Sequence, residues 1–263
     1  MLRPAAALPL LLLLPLLALA GGTTVPTVEI AQGVLFPRVQ LGCCTTNVSA
    51  SLPHWLALQP EFAAIDTAYG YKDQTQIASV LARANRSRSS VWITSKIPGG
   101  LAHDGPCTSL DPKAAAIAMV QADLAQLNVT QIDLMLLHEP CDMKTFRPAP
   151  HDLLIWQGLK ECLDRGYVRA IGVDRMVAAQ VAPLLAHHKP SVLMASMSIG
   201  NGTIDGRPAH DEATIKFCLA NGIQYNAFGV EKGCPFDNAE IVRLAHQHGV
   251  SPSQVCARWA SCT

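Results

Sequence analysis

The sequence has no surplus of charge of either sign. Its 20 basic and 20 acidic residues cancel. No run of like charge stands out, and no low-complexity tract follows the N-terminus. A nucleic-acid partner or an acidic surface is therefore not expected. Beyond the N-terminus no apolar stretch approaches the roughly 20 residues a membrane helix needs. Cys-x-x-Cys is missing, and the nine cysteines are not spaced like a small disulfide scaffold. Two readings of them remain: a bridge between Cys107 and Cys141, which follow strand ends on one expected face, or buried free thiols. Free thiols are the expectation. Cys43-Cys44 has no partner nearby in sequence for a metal. His187-His188 and His246-x-His248 fall at expected helix ends, where imidazole suits the dipole and water. No metal site is expected.

What is present begins with an apolar leader. Met1-Leu2-Arg3 carries one positive charge, Ala5 to Ala20 is rich in leucine, and Ala18-Leu19-Ala20 before Gly21 matches a small-x-small cleavage site. Residues 1–20 therefore read as a secretory signal peptide and 21–263 as the folded part. An uncleaved anchor is the competing reading, but the run is short and Pro9 and Pro15 interrupt it. Asn-x-Ser/Thr sequons at Asn47, Asn85, Asn128 and Asn201 lie near expected loops or helix ends, where N-glycans would stay in water. The expected location is secreted or in the lumen of the secretory pathway, with no membrane contact after cleavage.

The remaining length suffices for one large core or two small ones. Val28–Ile30 and Val34–Phe36 read as a hairpin turning at Gly33. Seven short apolar runs follow: Arg38–Cys43, Phe62–Asp66, Val91–Ser95, Ile132–His138, Val168–Val173, Val192–Met197 and Gln224–Phe228. They suit strands buried on both faces. Helical spacing separates them, as in Ile77, Val80, Leu81, Ala84; Ile117, Val120, Leu124, Leu127; Trp156, Leu159, Leu163; and Val181, Leu184, Leu185. Gly166, Gly222 and Gly249 stand where helix-ending glycines belong. A further helix starts at Ser251, with Pro252 in its first position and Gln254 completing a capping box. This alternation predicts an α/β fold with parallel strands. The rival doubly wound sheet usually carries G-x-G-x-x-G after its first strand; Gly42-Cys43-Cys44-Thr45 stands there instead. The expected architecture is a (β/α)8 TIM barrel with an N-terminal hairpin, incomplete because an eighth strand and its helix are missing.

Three of the runs end on chemistry. Asp66, Lys96 and His138 close the second, third and fourth, and Tyr71 follows Asp66 by five residues. Neighbouring strands lie about 4.8 Å apart, so a parallel sheet brings an acid, an amine and an imidazole into one pocket beneath a phenol. A phenol titrates near 10, too high for ready proton exchange at neutral pH. An adjacent ammonium is expected to lower that value, and Asp66 to hold Lys96 charged. His138 would orient a substrate oxygen. Such a group suits protonation of a carbonyl oxygen while hydride arrives at the carbon. Asp133 and Glu139 do not form a glycosidase pair, and Asp211-Glu212 reads as a helix N-terminal charge cluster.

The pattern Asp-x-Ala-x-x-Tyr, Thr-Ser-Lys and Ile-Asp-Leu…Leu-His-x-Pro resembles the aldo-keto reductase superfamily. So do Trp156…Leu159…Gly166…Ile171-Gly172-Val173 and Ser253-Gln254-Val255…Arg258-Trp259, giving coverage from about Phe36 to Trp259. The resemblance implies a barrel, NADPH as hydride donor and reduction of a small aldehyde or ketone. It makes Tyr71 the general acid, tuned by Lys96 and Asp66, with His138 positioning the carbonyl. It assigns cofactor contacts to Thr45, Asp66, Asp174, Arg175, Met194 and Phe228. Four of these depart from the family: Asp174-Arg175 replace a Ser-Asn pair, Met194 replaces a Gln, and Phe228 replaces a stacking Tyr. The region holding the adenosine phosphate, in and after strand eight, is missing. A non-catalytic barrel of the same ancestry, with impaired cofactor binding, is the alternative.

Overall fold

In the computed structural model, which describes residues 25–44, 47–200, 203–204, 207–208 and 211–262, the expected alternation is realised. The leader, Thr45 and Asn201 lie outside the described residues. The hairpin is β1 (Thr27–Ala31) against β2 (Val34–Pro37), and Gly33 takes the left-handed φ of 70° that its turn requires. The sheet strands are β3 (Leu41–Gly42), β4 (Ala63–Asp66), β5 (Val91–Ile97), β6 (Ile132–Leu137), β7 (Val168–Asp174) and β8 (Val192–Ser196). After the small ribbon of β9 (Thr203–Ile204) and β10 (Arg207–Pro208), β11 (Gln224–Phe228) completes the sheet. The order is β11-β8-β7-β6-β5-β4-β3, all parallel, with β3 and β11 at the edges.

Helices connect the strands: α1 (Val48–Leu58), α2 (Gln74–Arg83), α3 (Pro112–Leu127), α4 (Pro150–Asp164), α5 (Ala178–Val181), α6 (Glu212–Asn221), α7 (Ala239–His248) and α8 (Pro252–Cys262). Their ends follow local chemistry. Asp111 and Asp211 accept the backbone N–H groups of Ala114 and Thr214, and Asn238 accepts those of Glu240 and Ile241. Gly222 and Gly249 end α6 and α7 in the left-handed region. At the start of α8 the Ser251 N–H donates to Gln254 Oε1 at 2.8 Å, and the Gln254 N–H donates to Ser251 Oγ at 3.2 Å.

Two expected elements come out shorter by more than one residue. The Arg38–Cys43 run contributes only Leu41–Gly42, because Arg38 stays tied to the hairpin through its N–H to the Pro26 carbonyl. The helix carrying Val181 and Leu184 breaks into α5 and a 3-10 turn over Ala182–Ala186, because Pro183 has no N–H with which to continue the α ladder.

Period two along the strands builds two cores. Ile65, Ile93, Ile97, Met135, Leu137, Ile171, Val173 and Leu193 pack outward against the helices. Ala64, Trp92, Leu134, Leu136, Ala170, Val192 and Met194 turn inward and pack on Ile30, Val34 and Phe36 of the hairpin. The hairpin thus plugs the N-terminal end of the sheet. Phe36 meets Trp92 edge-on at 5.6 Å between ring centres, worth about 1 kcal/mol beyond burial. Gly172 sits in this interior where a Cβ would fall 2.4 Å from the Val192 carbonyl oxygen. With one end plugged, the inward positions at the C-terminal strand ends form the open mouth.

Candidate active site

Asp66 and Lys96 occupy inward positions of adjacent strands. Asp66 pairs in register with Thr94, so Lys96 lies one inward step further along. Its ammonium donates to Asp66 Oδ1 at 2.5 Å and to the Thr67 carbonyl at 2.9 Å. Lys96 is 1% exposed, which makes the pairing necessary rather than decorative. Burial opposes its charge, but the Asp66 carboxylate outweighs that and holds the lysine above its usual pKa. Thr67 is fixed in turn by donating its hydroxyl to Asp73 at 2.6 Å.

Tyr71 ends the 3-10 turn Tyr69–Tyr71 that follows β4. Its ring centre lies 5.2 Å from the Lys96 ammonium, and its hydroxyl lies 3.5 Å from His138 Nε2. The rings of Tyr71 and His138 meet edge-on at 5.6 Å. The expectation that the ammonium makes the phenol more acidic is corrected here. Burial pushes the Tyr71 pKa up by more than Lys96 pulls it down, and Asp66 and a hydrogen bond with the Cys44 thiol add to the rise. The phenol holds its proton.

His138 follows β6 and takes its backbone bond from β5, its N–H donating to the Ile97 carbonyl. Burial, Lys96 and Arg175 push its pKa well below the ordinary range, so the imidazole is neutral. Its Nδ1 is 3.6 Å from Glu139 Oε2, and its Nε2 is 3.9 Å from Asp174 Oδ2. Glu139 is buried and accepts the backbone N–H groups of Gly99 and Leu101, joining the loops after β5 and β6.

The remaining sequence-assigned positions gather at the same mouth, apart from Thr45, which lies outside the described residues. Asp174 ends β7, fully buried; burial raises its pKa well above the usual carboxylate range, against the pull of Lys96 and Arg175. Its Oδ1 has no hydrogen-bond partner. Met194 lies in the apolar interior, where a thioether cannot replace the hydrogen bonds of an amide. Phe228 ends β11, and the Arg175 guanidinium carbon lies 5.4 Å from its ring centre.

The free-thiol expectation holds for Cys43, Cys162 and Cys218, which are buried and unbonded, but gives way to the alternative bridge at Cys107 and Cys141 and to a second one. Cys107 bonds Cys141 and Cys234 bonds Cys256, because the fold brings these pairs to Cα separations of 5.4 and 6.2 Å. The first bridge joins the loops after β5 and β6. Among the described residues, one group has metal-like spacing, Cys107, Cys141 and Asp152, and its two sulfurs are already joined to each other. Asp133 clamps the other end of the sheet, paired with Arg88 and Arg169. Asp211 caps α6, as its charge cluster suggested.

Sequence reasoning missed Cys44 and the positioning part of Glu139. The signals were there: Cys44 directly follows the first strand, and Glu139 follows His138.

This arrangement, a protonated phenol beside a buried ammonium and a neutral imidazole, can deliver a proton to an oxygen and stabilise the anion left behind. The model of the Aldo/keto reductase family matches residues 56–233. The chain belongs to the aldo/keto reductase family. Among curated relatives of this family member, an NADPH-dependent codeinone reductase of Papaver somniferum is 26% identical over 264 residues, covering 89% of this chain and 77% of that one. An NAD(P)H-dependent D-xylose reductase of Candida tropicalis is 26% identical, covering 90% of this chain and 81% of its own length. The fold matches a Bombyx mori aldo-keto reductase solved with NADP, with a TM-score of 0.70 at 21% identity over 90% of this chain and 80% of that one. It also matches a Brucella melitensis aldo/keto reductase, with a TM-score of 0.72 at 19% identity over 90% and 84%.

Proposed function

We propose that this aldo/keto reductase family member reduces the carbonyl group of a small aldehyde or ketone to an alcohol, with NADPH as its cofactor and Tyr71 as proton donor. The observation that carries the reading is the contact chain Asp66–Lys96–Tyr71–His138 at the C-terminal ends of β4, β5 and β6. The distant relatives, reductases that use NAD(P)H by name, support the reaction class.

When bound, the cofactor supplies a hydride to the carbonyl carbon. At the nicotinamide end, Asp174 and Phe228 would hold it. The buried, unpartnered Oδ1 of Asp174 fits a polar group such as a carboxamide, and the Phe228 ring fits stacking, though Arg175 now covers it. Met194 adds only apolar contact.

The chain's own residues handle the proton. Burial keeps it on Tyr71 until an oxygen needs it. As the carbonyl oxygen gains negative charge, the Tyr71 hydroxyl donates its proton, and Lys96 stabilises the resulting phenolate. Asp66 keeps Lys96 charged in a site that would otherwise neutralise it. His138, uncharged, orients the carbonyl oxygen against the phenol. NADPH-dependent loss of a test aldehyde by the purified protein tests this reading; no turnover at millimolar cofactor would remove it.

We place the protein in an oxidising secretory compartment. The two disulfides support this. So do the exposed positions of Asn47, Asn85 and Asn128 at helix ends, where glycans could be carried. A mobility shift on endoglycosidase treatment of the protein from a eukaryotic host is expected; no shift from any sequon would count against it.

The second reading, a barrel that has lost cofactor turnover, is favoured by the cover over Phe228.

A further inference from the structure

We infer that Arg175 is a built-in competitor of the cofactor: its side chain occupies the aromatic face that the nicotinamide ring needs, so binding requires the arginine to move. The inference rests on the reading that this mouth takes a nicotinamide.

Arg175 directly follows Asp174 at the end of β7, and Phe228 ends β11, two places along the sheet with β8 between them. The Arg175 N–H donates to the Met194 carbonyl at 2.9 Å, which anchors the residue across β8. Its φ of 56° is the left-handed region, costly for a side chain of this size and easier for Asn or Gly. The guanidinium carbon stands 5.4 Å from the Phe228 ring centre, within the range of a cation over an aromatic face. The guanidinium charge also reaches His138, Glu139 and Asp174, so it sits within the field of the same site.

A planar group stacking on Phe228 must displace this contact. The two redox forms of the cofactor meet different obstacles. The reduced nicotinamide ring is neutral and loses only the space. The oxidised ring is cationic and also meets the charge of Arg175 nearby. The arginine therefore weakens both forms, and the oxidised form more. That bias favours release of the spent cofactor.

The test is isothermal titration of the full-length protein with NADPH and with NADP+, for wild type, Arg175→Gly and Arg175→Asn. Arg175→Gly relaxes the backbone and adds no contact; Arg175→Asn also tolerates the left-handed φ and serves if the glycine variant folds poorly. Both are expected to bind NADPH about fivefold more tightly than wild type, the equivalent of one lost cation–aromatic contact, and to gain more for NADP+. In a Phe228→Leu background, removing Arg175 is expected to bring less than a twofold gain in NADPH affinity. Equal or weaker binding by both Arg175 variants, with saturable binding by wild type, overturns the competitor and leaves the cofactor reading standing. An undiminished gain in the Phe228→Leu background also overturns it. No binding by any of the proteins at millimolar cofactor overturns both.

Discussion

Lys96 Nζ lies 2.5 Å from Asp66 Oδ1, on neighbouring parallel strands and almost out of reach of water. Neither group is stable there alone. Together they put a permanent positive charge under the Tyr71 ring, and the fold holds them there with the Thr67 carbonyl as a second anchor.

This pair makes a stability prediction. Asp66→Asn leaves a buried ammonium without its counterion and is expected to cost about 3–5 kcal/mol. The double variant Asp66→Asn/Lys96→Met removes both charges and should recover a substantial part of that loss. Urea denaturation of the four proteins gives the coupling directly; simple additivity of the two single changes would show that the contact does not bind the pair.

The disulfide between Cys107 and Cys141 closes a loop with a sequence separation of 34 and ties the loops on either side of Lys96 and His138. Chain entropy gives its removal a cost of about 4 kcal/mol. Cys107→Ser should show that loss, and reducing agent should produce it in wild type but add nothing to the variant through this bridge. Non-reducing peptide mapping is expected to find the linked peptides; Cys107 and Cys141 recovered as free thiols would refute the pairing.

Behind the sheet, Asp123 of α3 is buried and accepts the Ser95 hydroxyl. Burial raises its pKa to about 6, against the hydrogen bonds from Ser95 and Gln74. The folded state then binds a proton more tightly than the unfolded state, so this group's contribution is present below the unfolded value near 4 and is lost as pH rises to about 6. The loss amounts to about 3 kcal/mol. Asp123→Asn should flatten the stability profile between those limits. An unchanged slope would place the titration elsewhere.

The site itself predicts a flat pH–rate profile. Reduction needs the proton on Tyr71, and its pKa is raised, so the basic decline should begin only above pH ~10. His138 is lowered, so no acidic limb from imidazole is expected near its usual value of about 6.5. A limb centred near pH 7 that disappears in His138→Asn would contradict the neutral imidazole.

Much of this was legible in the chain. The strands carrying Asp66, Lys96 and His138 read directly from their short apolar runs, and their place at the ends of neighbouring parallel strands brought those three side chains together. The hairpin turn at Gly33 and the capping box at Ser251 and Gln254 are local signals and came through intact. What stayed hidden depends on distance in space. Strand ends on one face made a Cys107–Cys141 bridge one of two readings, but nothing along the chain says that Cys234 and Cys256 meet. The acidity of Tyr71 is not legible, because a neighbouring charge can be read from order along the chain while the depth of burial that outweighs it cannot. Arg175 was placed at the cofactor site by position alone; that its guanidinium covers Phe228 follows from the spacing of β7 and β11 across β8.

The central claim is that Tyr71 delivers the proton, and the most direct measurement compares Tyr71→Phe with wild type at saturating NADPH, following loss of an aldehyde. The expected result is a fall in kcat of about 10²-fold or more, with an unchanged melting temperature and an unchanged cofactor dissociation constant. Turnover by the phenylalanine variant at the wild-type rate would contradict the account.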